Sequence, residues 1–156
     1  MINVNVNELE LIEGWVEDEP STRGRFDFPI HAGVGATSTA VIYFEIAPGE
    51  RIPWHVHTAE EILLVLAGEA EGEVGNERGR LSAGALVLVP AHLRHRVTNA
   101  GRDILRVVGF FSSAAVTTTL DDEIAPLGTR VLPIPPPDYV AQASLDGAAS
   151  VGQGGD

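Results

Sequence analysis

Short runs rich in Val, Ile and Leu, three to eight residues long, are separated by Gly, Pro and Asn along most of this chain. Runs this short, rich in Val, Ile and Leu and bounded by turn residues about every ten positions, predict strands. Strands are expected over 9–16, 26–30, 40–46, 62–66, 70–74, 85–89, 96–98, 104–110 and 116–120, with a polar link through Glu19, Pro20, Ser21 and Thr22. Turns are expected at Pro48-Gly49, Ala67-Gly68, 74–79 and 99–102, where glycine supplies a positive φ or a missing Cβ. No long helix is foreseen. The class is therefore all-β, a barrel or a sandwich. From Pro133 the chain reads as a polyproline-like segment, and from Ser144 it is small, polar and Gly-rich.

Composition agrees with one folded core, since 156 residues at 44% hydrophobic content can bury about two thirds of the unfolded surface. The absence of cysteine removes thiol nucleophiles and Cys-type zinc sites, and is compatible with a reducing cytoplasm, the expected location. A net charge of −12 opposes nucleic acid and anionic lipid, so neither is an expected partner. The N-terminus lacks the basic and apolar regions of a signal peptide, and no run reaches the length of a membrane span.

Two stretches carry the chemistry. The first places Gly49, His55, His57, Glu61 and Gly68 at intervals of five, one, three and six residues; the second places Gly84, Pro90, His95 and Asn99 at intervals of five, four and three. On a strand, His55 and His57 point to one face about 6 to 7 Å apart, so two imidazoles can share a metal ion. Glu61 has the parity of the histidines and Glu60 the opposite, which makes Glu61 the better ligand. His95 follows the apolar run 85–89 and its proline turn, where a neighbouring strand can deliver a third imidazole. His55, His57, Glu61 and His95 are the expected metal ligands.

These stretches resemble the cupin motifs, G(X)5HXH(X)3-4E(X)6G without a mismatch and G(X)5PXG(X)2H(X)3N with one, at His92, where the family usually has Gly. The resemblance covers about residues 36–112. It implies a double-stranded β-helix, a jelly-roll-like barrel, organised here as N-terminal strands over 1–35 that cover the barrel or a dimer interface, the cupin barrel over 36–120, an extension over 121–143 packing on it, and a flexible tail over 144–156. Similar cupins are often homodimers, and a homodimer is expected.

The resemblance implies one divalent transition metal. Three imidazoles and one carboxylate suit several ions; Fe(II) is favoured, then Mn(II) or Ni(II), while Zn(II) is possible although four protein ligands would fill its tetrahedron. Three functions follow. The leading one is a metal-dependent enzyme for a small molecule, an Fe(II)-type dioxygenase acting on an enol or aromatic substrate, with Glu61 doubling as a base. The runner-up is a redox-neutral isomerase, epimerase or lyase, and the third a non-catalytic small-molecule binding or sensing barrel. His92 is a candidate proton-transfer group at the mouth of the site, and Tyr43 a candidate for positioning substrate if the odd face of its strand looks inward. Arg51, Arg94 and Arg96 are candidate anion clamps or ordinary ion-pair partners. One of Phe110 and Phe111 is expected to wall the pocket and the other to pack in the core, Trp54 should face away from the metal, and His31 is read as structural or solvated.

Overall fold

The computed structural model describes residues 1–137. Twelve strands dominate it: β1 (Ile12–Val16), β2 (Glu19–Ile30), β3 (Ala40–Ile46), β4 (His55–His57), β5 (Glu61–Ala67), β6 (Glu69–Val74), β7 (Glu77–Ser82), β8 (Leu86–Val89), β9 (His95–Asn99), β10 (Leu105–Phe111), β11 (Val116–Ile124) and β12 (Thr129–Ile134). They form two six-stranded antiparallel sheets, ordered β1-β2-β3-β10-β5-β8 and β12-β11-β4-β9-β6-β7. Successive strands cross repeatedly between the sheets, which gives the expected jelly-roll barrel. Helix within residues 1–136 is confined to two three-residue 3-10 turns, Val6–Glu8 and Ala32–Val34.

The alternation of side chains between the two faces of each strand decides what fills the barrel. Phe44 and Ile46 from β3, Leu63 and Val65 from β5, Val89 from β8, Val97 from β9, and Leu105 and Val107 from β10 form one buried cluster. Each such side chain contributes about 1.5–3 kcal/mol on burial. Beside it, Ala40, Ala59, Phe111 and Val116 make a smaller buried cluster against Phe28 and Ile42. Gly49 and Gly68 have φ of 79° and 88°, as their turns require.

Several boundaries differ from expectation. The supposed link at Glu19–Thr22 is the beginning of β2, with the hairpin turn confined to Glu17 and Asp18; Pro20 is tolerated near the strand's start, opposite a register shift between Trp15 and Val16. The loop expected over 74–79 shrinks to Gly75 and Asn76, and the polar segment after it is β7, which pairs with β6 throughout. β11 runs on to Ile124 and is joined by β12, so Pro133 lies in an edge strand opposite Thr117 and does not begin a polyproline-like segment. The flexible tail expected over 144–156 lies outside the described residues.

Candidate metal centre

Strand pairing brings the four expected ligands together. His55 faces His95 across the β4–β9 pair, and β4 is held on its other side by β11, with His57 opposite Thr118 and His55 opposite Leu120. One nitrogen from each of His55, His57 and His95 lies within 4.8 Å of the others. Glu61, at the start of β5 in the facing sheet, closes the group: its Oε2 lies 3.4 Å from Nε2 of both His57 and His95. All four side chains are buried, while Glu60 is exposed. The parity count that separated Glu61 from Glu60 therefore survives the turn between β4 and β5.

Outer contacts set the tautomers. Nδ1 of His55 donates to the carbonyl of Pro53 at 2.8 Å, and Nδ1 of His95 to the carbonyl of Leu93 at 2.9 Å. A carbonyl can only accept, so in the neutral rings the hydrogen sits on Nδ1 and Nε2 carries a lone pair. Nδ1 of His57 shares a hydrogen bond with the Thr118 hydroxyl at 2.8 Å. This arrangement, with ring Nδ1 tied to an outer partner and Nε2 turned inward, is the one metal-bound histidines adopt.

Electrostatics makes the same point. Burial drives the His55 imidazole well below its ordinary range, with the charges of His95 and His57 adding to the effect against the Pro53 hydrogen bond and Glu61. Burial by itself would raise the Glu61 carboxyl, yet the attraction of His57 and His95 outweighs it and holds the group at about 2. Nε2 of His95, however, is buried without a hydrogen-bond partner. The attraction on Glu61 requires Nε2 to carry a proton or a cation: in a neutral ring whose Nδ1 hydrogen is already given to a carbonyl, the Nε2 lone pair would repel the carboxylate, and a metal cation between them satisfies both. Donor atoms each about 2.0–2.2 Å from one ion stand roughly 3–3.5 Å apart, a range that includes the two 3.4 Å Glu61 contacts. The residues present fit a divalent transition metal.

Gly109, in the middle of β10, makes room for this carboxylate. A Cβ there would stand 2.2 Å from Glu61 Oε1 and 2.7 Å from Ile42 Cγ2. Strand glycines often mark such close approach.

The centre forms part of the wall of a cavity of about 80 Å³, lined chiefly by apolar side chains that include Phe26, Phe28, Ile42, Phe44, Leu63 and Leu120. A larger cavity of about 580 Å³ lies between the end of β2 and β12 and shares Phe26, Phe28 and Leu132 with the first. Phe111 packs edge-on against His57, with ring centres 4.8 Å apart. Phe110 is exposed, so the expectation that one of the pair is a core aromatic and the other a pocket wall is corrected for Phe110.

Two candidate catalytic residues are elsewhere. Ile42 and Phe44 point into the cavity, so Tyr43 faces the other side of its sheet; there its hydroxyl donates to Glu45 and accepts from Arg106. His92 sits exposed in the β8–β9 turn at φ 63°, where its backbone N–H donates to the carbonyl of His57, and its side chain does not line the cavity. The arginines have acidic partners: Arg51 pairs with Glu19, Arg94 with Asp121 and Arg96 with Glu73. Arg94 and Arg96 also stack on Trp54, which stays out of the cavity. His31 is buried and caps the turn Ala32–Val34 by accepting from the Gly33 N–H.

Sequence reasoning missed Thr118, Gly109 and the three phenylalanines Phe26, Phe28 and Phe44. Parity along β3 would have found Phe44 once the inward face was known; Thr118 is sixty-one residues from His57 and carries no local signal.

Comparison with known proteins places these features in context. Residues 42–111 match the cupin domain family. The chain is 35% identical over 102 residues to protein SchB of Streptomyces halstedii, covering 60% of this chain and 74% of SchB. It is also 35% identical over 88 residues to polyketide synthase CurC of Streptomyces cyaneus, covering 56% of this chain but only 57% of CurC's length. Among solved structures, the polyketide cyclase RemF from Streptomyces resistomycificus aligns with a TM-score of 0.58 at 18% identity, over 71% of this chain and 78% of RemF. At that identity the likeness to RemF is one of fold.

Proposed function

Because the chain belongs to the cupin family, we propose that its histidine and glutamate cluster is a mononuclear divalent-metal centre, and that the protein catalyses redox-neutral ring closure on an enolisable, polyketide-type substrate. The observation that carries this reading is the convergence of three imidazoles and one carboxylate at the wall of an apolar cavity. The substrate class draws support from the names of two similar proteins, polyketide synthase CurC and the polyketide cyclase RemF.

His55, His57, His95 and Glu61 would hold the ion. When bound, a divalent metal supplies Lewis-acid polarisation of a carbonyl or enolate oxygen. A carboxyl held at about 2 is a poor base near neutral pH, so Glu61 serves as an anionic ligand and not as the base. Besides these four and Arg25, which pairs with Glu45, no titratable side chain lines the inner cavity among the described residues. The substrate would therefore enter as an enolate, its acidic α-proton lost to water in solution as a 1,3-dicarbonyl allows; the enolate carbon attacks the ring-closing carbonyl carbon, whose C=O π bond breaks, and the resulting alkoxide takes a proton from water. Phe26, Phe28 and Phe44 give apolar walls that orient a planar ring and exclude water. The inner cavity takes the reacting end, and the larger neighbouring cavity the remainder of the molecule.

Incubating metal-loaded protein with an aromatic β-diketone, in air and under argon, tests this reading. Equal loss of the enol absorbance in both gases is expected, with no oxygen uptake at an electrode. A second reading, oxygen-dependent cleavage at an Fe(II) centre, is favoured by the donor set, which leaves positions open on a six-coordinate ion. Turnover in air alone, with oxygen consumed, would select it.

A further inference from the structure

Phe26, Phe28 and Leu132 stand between two cavities, lining both the inner one of about 80 Å³ at the histidines and the larger one of about 580 Å³ beside it. The rings of Phe26 and Phe28 meet edge to face with centres 6.1 Å apart, and Phe28 stacks at 6.5 Å on Phe111, the ring that packs against His57. Leu132 closes the wall from the other sheet: it stands opposite Thr118 on β11, which in turn stands opposite His57 on β4. Two of these three side chains sit where the sheets are least tied. β2 carries one extra residue against β3 between Asp27 and Ile30, so Phe28 lies in a bulge, and Pro29 beside it has no N–H to give. Bulges often re-aim side chains next to active sites. Leu132 belongs to β12, an edge strand.

Size decides what this wall does. An apolar cavity that holds one benzene measures about 150 Å³. The inner cavity is smaller than that, and the larger one exceeds it several-fold. A six-membered aromatic ring therefore fits the larger cavity and not the inner one. We propose that Phe28, braced by Phe26 and Leu132, is the specificity-determining residue for the reaction proposed above, on which this inference rests: it admits to the histidine cluster an enolised 1,3-dicarbonyl with one aryl arm, whose ring stays in the larger cavity, and refuses a dicarbonyl with a ring on each side. The arm crosses where the bulge lets the Phe28 ring turn. All three side chains of the wall are hydrocarbon, so it selects by girth and not by charge.

Calorimetric titration of the Ni(II)-loaded full chain with benzoylacetone, which has one ring, and dibenzoylmethane, which has two, tests the partition without turnover. Wild type should favour benzoylacetone at least about 10-fold; Phe28→Ala, which joins the cavities, should bring the two affinities to within about 3-fold by tighter dibenzoylmethane binding. Should that variant misfold by circular dichroism, Leu132→Ala on the edge strand decides, with a shift in the same direction. Metal-free protein titrated with phenol and 4-phenylphenol separates this inference from the function it rests on. There Phe28→Ala should bind 4-phenylphenol at least about 10-fold more tightly than wild type does, with phenol affinity unchanged. Diketones that bind neither protein would sink the proposed function, and the 4-phenylphenol result then decides the partition. A wild type that takes dibenzoylmethane as readily as benzoylacetone, or a folded Phe28→Ala that keeps the wild-type preference or gains nothing for 4-phenylphenol, would overturn the proposal.

Discussion

Nδ1 of His57 lies 2.8 Å from Oγ1 of Thr118, two residues that face each other across the β4–β11 pair. The contact fixes the imidazole plane and turns Nε2 towards Glu61, so a residue from a strand late in the chain orients a ligand from an early one. Replacing Thr118 with Val keeps the shape and removes the hydrogen bond. Affinity for a divalent ion should fall about 10- to 100-fold. Titration calorimetry against the wild type measures this, and an unchanged affinity would show that strand pairing alone orients His57.

Gly109→Ala should act on the same centre from the opposite sheet. The added methyl would overlap Glu61 Oε1 and Ile42 Cγ2, and neither the backbone of β10 nor that of β3 has freedom to yield. A loss of about 1–3 kcal/mol in stability is expected from overpacking, accompanied by weaker ion binding because the carboxylate must move. Urea denaturation and calorimetry read the two effects separately.

His92→Gly should do the reverse. His92 is the only described non-glycine residue with positive φ, a conformation that costs roughly 1–2 kcal/mol for residues with a Cβ. Part of the relief is offset by glycine's freedom in the unfolded chain, so a net gain of up to about 1 kcal/mol is expected. Ion affinity should not change, because the side chain is outside the cavity. Loss of activity in this variant would restore His92 as a proton-transfer group.

His31 gives the stability a pH dependence. Burial lowers its folded-state pKa from the ordinary 6.5, and the nearby Asp27 charge compensates only in part. Its Nδ1 accepts the Gly33 N–H, a contact that protonation destroys. The unfolded chain therefore binds more protons between the lowered value and 6.5; stability is full above 6.5 and declines as pH falls through that window. His31→Asn can retain the cap without titrating there. Its denaturation midpoint should vary less than the wild type's across the same window.

The strand centres and the four clustered side chains were legible because alternation and motif spacing are local properties. Motif spacing and parity together distinguish Glu61 from Glu60. What escaped depended on which surface covers a strand. Both faces of β3 are buried, Phe44 against the barrel core and Tyr43 beside Glu45 and Arg106, so hydrophobicity could not reveal the inward one. β7 went unseen because Glu77, Arg78, Gly79 and Arg80 form no apolar run; pairing with β6 and ion pairs from Arg78 to Glu71 and Arg80 to Glu69 accompany it. Thr118 became visible only when β11 was laid beside β4.

Metal content by plasma mass spectrometry is the most direct measurement, on protein purified anaerobically without added metal or chelator, beside His57→Ala and Glu61→Gln. Near-stoichiometric divalent transition metal in the wild type, lost in His57→Ala and reduced in Glu61→Gln, is the predicted result. Wild-type protein that holds no metal and takes up none of Fe(II), Mn(II), Ni(II) or Zn(II) on titration, or a His57→Ala protein that retains the full content, would contradict a metal centre at these four residues.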